Sequence, residues 1–209
     1  MYEVGRFSFV HPARIIISGP SGSGKTFLVC DILRHLTVFD VVPEQIFYVS
    51  KYDATWMNEF ADSVTFTKEL PTTWDENKAT LIIVDDLLLE KKVMLDMVHL
   101  YTRASHHQNA SIIFITQYLF HNDSNFRVLS HNSTYIILFN NHRGRAQLEI
   151  LGRQIYGKAK LPFFISAYEQ ATNERFGYLV IDLHPLTHSK HRLRTGILPN
   201  TKQFVFFPL

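Results

Sequence analysis

Residues 14–26 read RIIISGPSGSGKT, and this stretch decides the fold. Arg14–Ser18 is a short β-branched run, the composition of a central strand. Gly19–Thr26 (GPSGSGKT) fits G-x-x-x-x-G-K-[ST] at every fixed position. Lys25–Leu36 then has helical spacing, with Phe27, Leu28, Ile32 and Leu36 along one side. Glycines in such a turn let the backbone curl until several N–H groups face one anion, and the helix N-terminus adds the positive end of its dipole. The pattern assigns the loop, Gly19, Pro20, Ser21, Gly22, Ser23 and Gly24, to nucleotide phosphates, together with Lys25 and Thr26 at the helix start. Lys25 would reach the β- and γ-phosphates of ATP, and the Thr26 hydroxyl would ligate Mg²⁺. The bland alternative is a glycine-rich turn that only caps a helix; the full match between a strand and a helix argues against it.

Outward from the loop, apolar strands alternate with helical patterns. Ile46–Ser50 (IFYVS), Leu81–Asp86 (LIIVDD), Ile112–Thr116, Tyr135–Phe139 (YIILF) and Phe176–Leu183 read as strands, and Val64–Thr67 as a short one. Glu90–Thr102, Arg143–Tyr156 and Pro162–Ala171 read as helices. This alternation predicts an α/β fold with a mostly parallel sheet covered on both faces. No repeat, low-complexity tract or linker interrupts it, so residues 1–209 are expected to form a single domain, with a core over about 12–183 and a C-terminal extension over 184–209.

Two adjacent carboxylates close the LIIVDD strand. Ionised carboxylates at a buried strand end are costly unless a cation and hydrogen bonds offset them. Asp85 is therefore assigned to Mg²⁺, and Asp86 to the general base that orients or deprotonates water. Either could instead cap the next helix. The strand SIIFIT (111–116) ends on Gln117. If it lies between the phosphate-loop and carboxylate strands, its amide emerges at the γ-phosphate, able to donate to phosphate and accept from water; otherwise it is a strand end meeting solvent. Arg103, just before this strand, is a candidate for stabilising transition-state charge on the γ-phosphate, in trans if its helix faces a neighbouring subunit, or a surface arginine near a helix end. His106 and His107 have no third ligand at metal spacing and read as loop or interface residues rather than a zinc site.

The bulk numbers set outer limits. With 46% apolar and 19% charged residues the chain is globular rather than disordered. A net charge of +2 does not announce nucleic-acid binding, so any such surface must be local. One cysteine, Cys30, rules out an internal disulfide and suits a reducing compartment. The first residues lack a signal-peptide layout, and apolar runs fall short of the roughly 20 residues that span a bilayer. An intracellular setting is expected, including the interior of an infected cell or a particle.

Taken together, GPSGSGKT, LIIVDD, TRASHH and IFITQ resemble the viral DNA-packaging ATPases of the FtsK/HerA type, as found in Polinton/Maverick-like and adintovirus-like elements and poxvirus-type viruses. SHNSTYIILFNNHRGRAQLEILGRQIYG (130–157), AYEQAT, GYLVIDLHP and RLRT extend the likeness from about Pro12 to Pro199. The resemblance implies a RecA-like (ASCE) core with Walker A and Walker B motifs, working as an oligomeric ring, hexameric or pentameric. Such a ring drives double-stranded DNA into a preformed capsid, docked on a capsid or portal-vertex protein, in the nucleus, at a cytoplasmic assembly site or on the virion. In that family the polar residue ending the sensor strand matches Gln117 and the arginine finger matches Arg103. Two departures stand out. Asp85-Asp86 replaces the Asp-Glu of many relatives, and NNHRG (140–144) replaces a Pro-Arg-Asp-like turn, where Arg143 is a second candidate for a trans-acting residue.

Basic residues at Arg143, Arg145, Arg153, Lys158 and Lys160, and in HSKHRLR (188–194), are candidate DNA-backbone contacts or solvated helix faces. Tyr52, Trp56 and Trp74 are expected to pack in the interior. Three other functions compete. A nucleoside or nucleotide kinase would need an arginine-rich lid. A helicase or non-packaging translocase would share the motor core. A nucleotide-switched binding module would turn over slowly. Asp86, Gln117 and Arg103 favour hydrolysis over the kinase and the switch.

Overall fold

The computed structural model describes residues 2–3, 6–85, 95–102, 109–119, 124–199 and 201–208. In chain order its elements are β1 (Tyr2–Glu3), β2 (Arg14–Ser18), α1 (Lys25–Arg34), β3 (Gln45–Val49), β4 (Thr65–Thr67) and β5 (Thr80–Asp85). Helical residues 95–102 (α2) follow, then β6 (Ala110–Thr116), α3 (Ser124–Asn132), β7 (Tyr135–Phe139), α4 (Arg145–Tyr156) and α5 (Leu161–Ala171). The chain closes with β8 (Tyr178–Asp182), β9 (Leu193–Thr195) and β10 (Phe204–Phe206).

Among the described residues the strands make one sheet in the order β1-β10-β9-β8-β7-β2-β6-β5-β3-β4. The six strands from β7 to β4 pair in parallel. Their central members, β2, β5, β6 and β7, carry β-branched and aromatic runs with almost no exposed position, as strands covered on both faces must. Alternate side chains go to opposite faces. Ile15, Ile17, Ile113 and Ile115 pack with Leu28 and Ile32 of α1 on one face. Ile16, Ile112 and Phe114 meet Met97 and Tyr101 of α2 and Phe126 of α3 on the other. Farther along that second face, Ile136, Leu138 and Ile181 are covered by α4 and α5. This is the α/β class expected from the sequence, a mostly parallel sheet with helices on both faces.

The differences have physical reasons. β8 joins β7 antiparallel, and β9, β10 and β1 continue antiparallel, so the segment 184–209 read as an extension adds two strands to the same sheet. Strands of three residues are too short to show a period. The unanticipated α3 buries only Phe126 and Leu129 among its describable side chains, too few for an apolar stripe. Tyr52 does not pack inside; it is 80% exposed, in a bend after β3. Trp56 and Trp74 are partly buried against the two faces, as expected. Residues 90–94 of the helix read over Glu90–Thr102 lie outside the described residues.

The register brings one edge into line. Ser18 of β2 stands opposite Thr116 of β6, and Asp85 of β5 stands opposite Ile115 of β6. The C-terminal tips of β2, β6 and β5 are therefore neighbours, with β6 between the other two.

Candidate functional site

At that edge the chain leaves β2 into the glycine loop. Gly22 (φ 76°) and Gly24 (φ 107°) hold left-handed backbone conformations that a side chain resists, which is why the loop carries glycine there. The Gly19 amide donates to the Thr116 carbonyl at 3.2 Å and ties the loop to the tip of β6. Gly24 caps α1 without a side-chain hydrogen bond, so no side-chain cap takes the first-turn amides of that helix. The Lys25 ammonium donates to the carbonyls of Gly19 (2.6 Å) and Pro20 (2.9 Å), which holds it across the mouth of the loop.

A cleft of about 340 Å³ opens here. Ser21, Gly22, Gly24, Lys25 and Thr26 line it together with Asp85 and Gln117. Gly19, Pro20 and Ser23 make up the body of the loop, and the buried Ser23 hydroxyl has no hydrogen-bond partner among the described residues. Of the residues singled out from the sequence, the structure thus brings Lys25, Thr26, Asp85 and Gln117 to one cavity. Asp86 and Arg103, the candidate base and arginine finger, lie outside the described residues, as do His106 and His107.

Gln117 reaches the cleft because β6 stops abruptly. The Thr116 hydroxyl donates to the Tyr118 carbonyl and accepts from the Tyr118 amide, both at 3.2 Å, and this side-chain turn ends the strand. Asp85 is held from the neighbouring strand: the Tyr48 hydroxyl donates to Asp85 Oδ2 at 2.7 Å. Tyr48 is fully buried on β3, with its ring against Trp56 and Phe66. Burial first, and the Asp85 charge second, push its phenol far above the ordinary range, so it remains a donor. Sequence reasoning passed over Tyr48. The available signal was a hydroxyl within a buried strand, which must find a partner.

The donor set fits a triphosphate with a divalent cation. A helix start with uncapped amides and a lysine ammonium suit an anion, while the Thr26 hydroxyl and the Asp85 carboxylate are the hard oxygen ligands that Mg²⁺ takes.

Arg143 is exposed in the turn between β7 and α4, where its amide donates to Asn141 Oδ1 at 3.0 Å. That turn is fixed by Tyr168 of α5, whose hydroxyl donates to the Phe139 carbonyl and accepts from the Asn141 amide. The basic cluster divides. Arg145 pairs with Glu169 at 2.6 Å and Glu149 at 3.4 Å, and Arg153 with Glu149 at 3.4 Å. Arg194 is drawn inside against Asp182, at 3.5 Å, and away from any surface role. Lys158 and Lys160 are exposed beyond α4. Among the described residues no helix is long and apolar enough to cross a membrane.

Strand order, loop and converging tips define an α/β protein of the P-loop type. No protein-family model matches the chain, and no curated protein matches it. In three dimensions it is similar to the genome packaging NTPase B204 from Sulfolobus turreted icosahedral virus 2, solved in complex with ATPγS. The two share 12% identity over 95% of this chain and 98% of that one, with a TM-score of 0.47. The sulfate complex of the same NTPase gives the same identity and coverage and a TM-score of 0.44.

Proposed function

We propose that this chain is an ATP-hydrolysing motor that moves double-stranded viral DNA into a preformed capsid. The observation that carries the hydrolytic part is the convergence of Lys25 and Thr26, Asp85 and Gln117 from three neighbouring parallel strands on one cleft. The loop amides and Lys25 bind and orient the phosphates of ATP. Thr26 and Asp85 would hold Mg²⁺, whose charge would offset that of the phosphate oxygens. Tyr48 fixes the carboxylate through Oδ2. The Gln117 side chain offers both a donor and an acceptor, the pair needed to hold a water against a phosphate. Asp86, next to the metal carboxylate, takes the proton of that water.

The packaging part rests on the sequence resemblance through LIIVDD, TRASHH and IFITQ. It brings with it a ring of copies of this chain, a capsid or portal-vertex partner, an infected-cell or virion setting, and Arg103 or Arg143 reaching a neighbouring site. Arg143, Lys158 and Lys160, exposed at the two ends of α4, and the exposed Lys190 are described cations available to a DNA backbone.

The deciding experiment measures ATP hydrolysis by the purified full chain with and without linear double-stranded DNA across a salt series. DNA should stimulate turnover, the stimulation should fall steeply as salt rises, and Lys25→Ala should abolish turnover. Hydrolysis that survives Lys25→Ala would remove the site assignment, and turnover indifferent to DNA would remove the motor.

A further inference from the structure

The cleft has a second, aromatic side. Phe27, on the first turn of α1, is 58% exposed, and Phe176, just before β8, is 40% exposed. Both line the same cavity as Lys25 and Thr26. Their rings stack with centroids 5.9 Å apart and planes 25° from parallel. Phe176 is one of two non-glycine residues with positive φ among the described residues, at 63°. A bulky residue in that conformation is uncommon, and strain of this kind collects at ligand sites. Burial does not explain it, because the ring stays partly in solvent. Turn chemistry does not explain it either, since Gly or Asn would serve better there.

What the strain achieves is position. The Phe176 ring lies against Gly24, so closely that a Cβ on Gly24 would come within 2.8 Å of Phe176 Cδ1. The Arg175 guanidinium lies 4.7 Å from the centre of the same ring. The platform is thus seated on the end of the phosphate loop and braced by a cation. A ligand that fills both sides of this cleft has a polyphosphate at one end and a flat aromatic group at the other.

We propose that the Phe27–Phe176 pair is the nucleobase platform of the cleft, the feature that separates a nucleoside triphosphate from inorganic polyphosphate. This rests on the reading of the cleft as a triphosphate site and adds where the base lies. Every base has a π-face, so stacking contributes affinity without reading base edges.

The test is calorimetric titration of the full chain with Mg·ATPγS and, separately, with magnesium tripolyphosphate, neither measurement depending on turnover. Phe27→Ala and Phe176→Asn remove the rings; asparagine tolerates the left-handed backbone, and Phe27 lies exposed on a helix surface. Each variant should weaken ATPγS by about 5- to 150-fold, the range expected for one lost stacking contact. Tripolyphosphate should bind each variant within about twofold of the parent, and Phe176→Trp should retain ATPγS affinity. Unchanged ATPγS affinity in Phe27→Ala and Phe176→Asn would overturn the proposal. So would equal weakening of both ligands, because the rings would then only shape the loop. A wild-type chain that binds neither ligand, or a Lys25→Ala variant that keeps tripolyphosphate, would instead remove the triphosphate site itself.

Discussion

Tyr48→Phe deletes one oxygen and leaves the ring packed between Trp56 and Phe66. That oxygen donates to Asp85 Oδ2 at 2.7 Å. A hydrogen bond to a charged group contributes about 1.5–3 kcal/mol. Tyr48 is fully buried, but Asp85 is only half-buried at the cleft, so water can replace part of the lost interaction. About 1–2 kcal/mol, at and somewhat below the lower end of that range, is therefore expected. For a chain of this size that corresponds to a fall in Tm of about 2–8 °C. The carboxylate also loses the contact that fixes its orientation, so the Mg²⁺ concentration for half-maximal ATPase should rise several-fold and turnover should fall about tenfold. Thermal melts with and without Mg²⁺, alongside a magnesium titration of ATPase, read both effects. An unchanged Tm would mean the bond contributes nothing. A lowered Tm with an unaltered magnesium dependence would reduce Tyr48 to a packing residue and refute its positioning role.

Gly24→Ala forces a side chain into φ 107° and against Phe176; about 1–3 kcal/mol should be lost, and tripolyphosphate affinity measured by calorimetry should fall with it. Gly152→Ala should lower the urea midpoint although alanine gains about 1 kcal/mol of helix propensity, because its Cβ would run into the buried Phe164 ring and Leu161 where α4 packs on α5; Phe164→Leu in the same chain should recover part of the loss. Gln117→Ala should leave ATPγS affinity within about twofold and cut turnover by roughly 10²-fold; equal losses in both would make it a binding residue. Arg194→Met strands the buried Asp182 carboxylate, which among the described residues keeps its bonds from the His184 amide and the Thr187 hydroxyl, and should destabilise by about 2–4 kcal/mol. Burial already raises the Asp182 pKa above its unfolded value. Arg194 holds that pKa down, so the variant's Asp182 takes up its proton at higher pH than the parent's, and the deficit should be full above the variant's pKa and shrink as pH falls from there through the parent's. A deficit that grows on acidification would contradict this.

The parts of the molecule legible in the sequence are those whose physics is local. The phosphate loop announces itself because glycine, lysine and threonine must follow one another within eight residues, and the β2 and α1 patterns flank it directly. The strand runs of β5, β6 and β7 are legible because burial on both faces demands unbroken apolar sequence. Partnerships across the sheet are not. Tyr48 and Asp85 stand 37 positions apart, and nothing near either names the other. Phe176 is hidden for a different reason: in the sequence it extends an apolar strand, FGYLVIDL, whereas the strand begins at Tyr178 and Phe176 is bent out of it by a positive φ. Arg194 misled in the opposite direction, since a basic run looks like surface until one member pairs with a buried carboxylate on β8.

The insertion of β6 between β2 and β5 is the topological fact with the largest chemical consequence. Neighbouring strands lie about 4.8 Å apart. Had β5 paired directly with β2, the Asp85 carboxylate would stand one spacing from the phosphate loop, with no backbone between them to carry a further group. With β6 interposed, the separation becomes roughly 10 Å, wide enough for phosphate and cation together, and the middle strand contributes its own side chain over the gap. That side chain is Gln117, neutral and able both to donate and to accept. A charged residue there would either repel the phosphate or bind it without orienting water. The same insertion ties the loop to the tip of β6, since the Gly19 amide bonds the Thr116 carbonyl one residue before Gln117. A shift of the loop would therefore pull directly on the tip of β6.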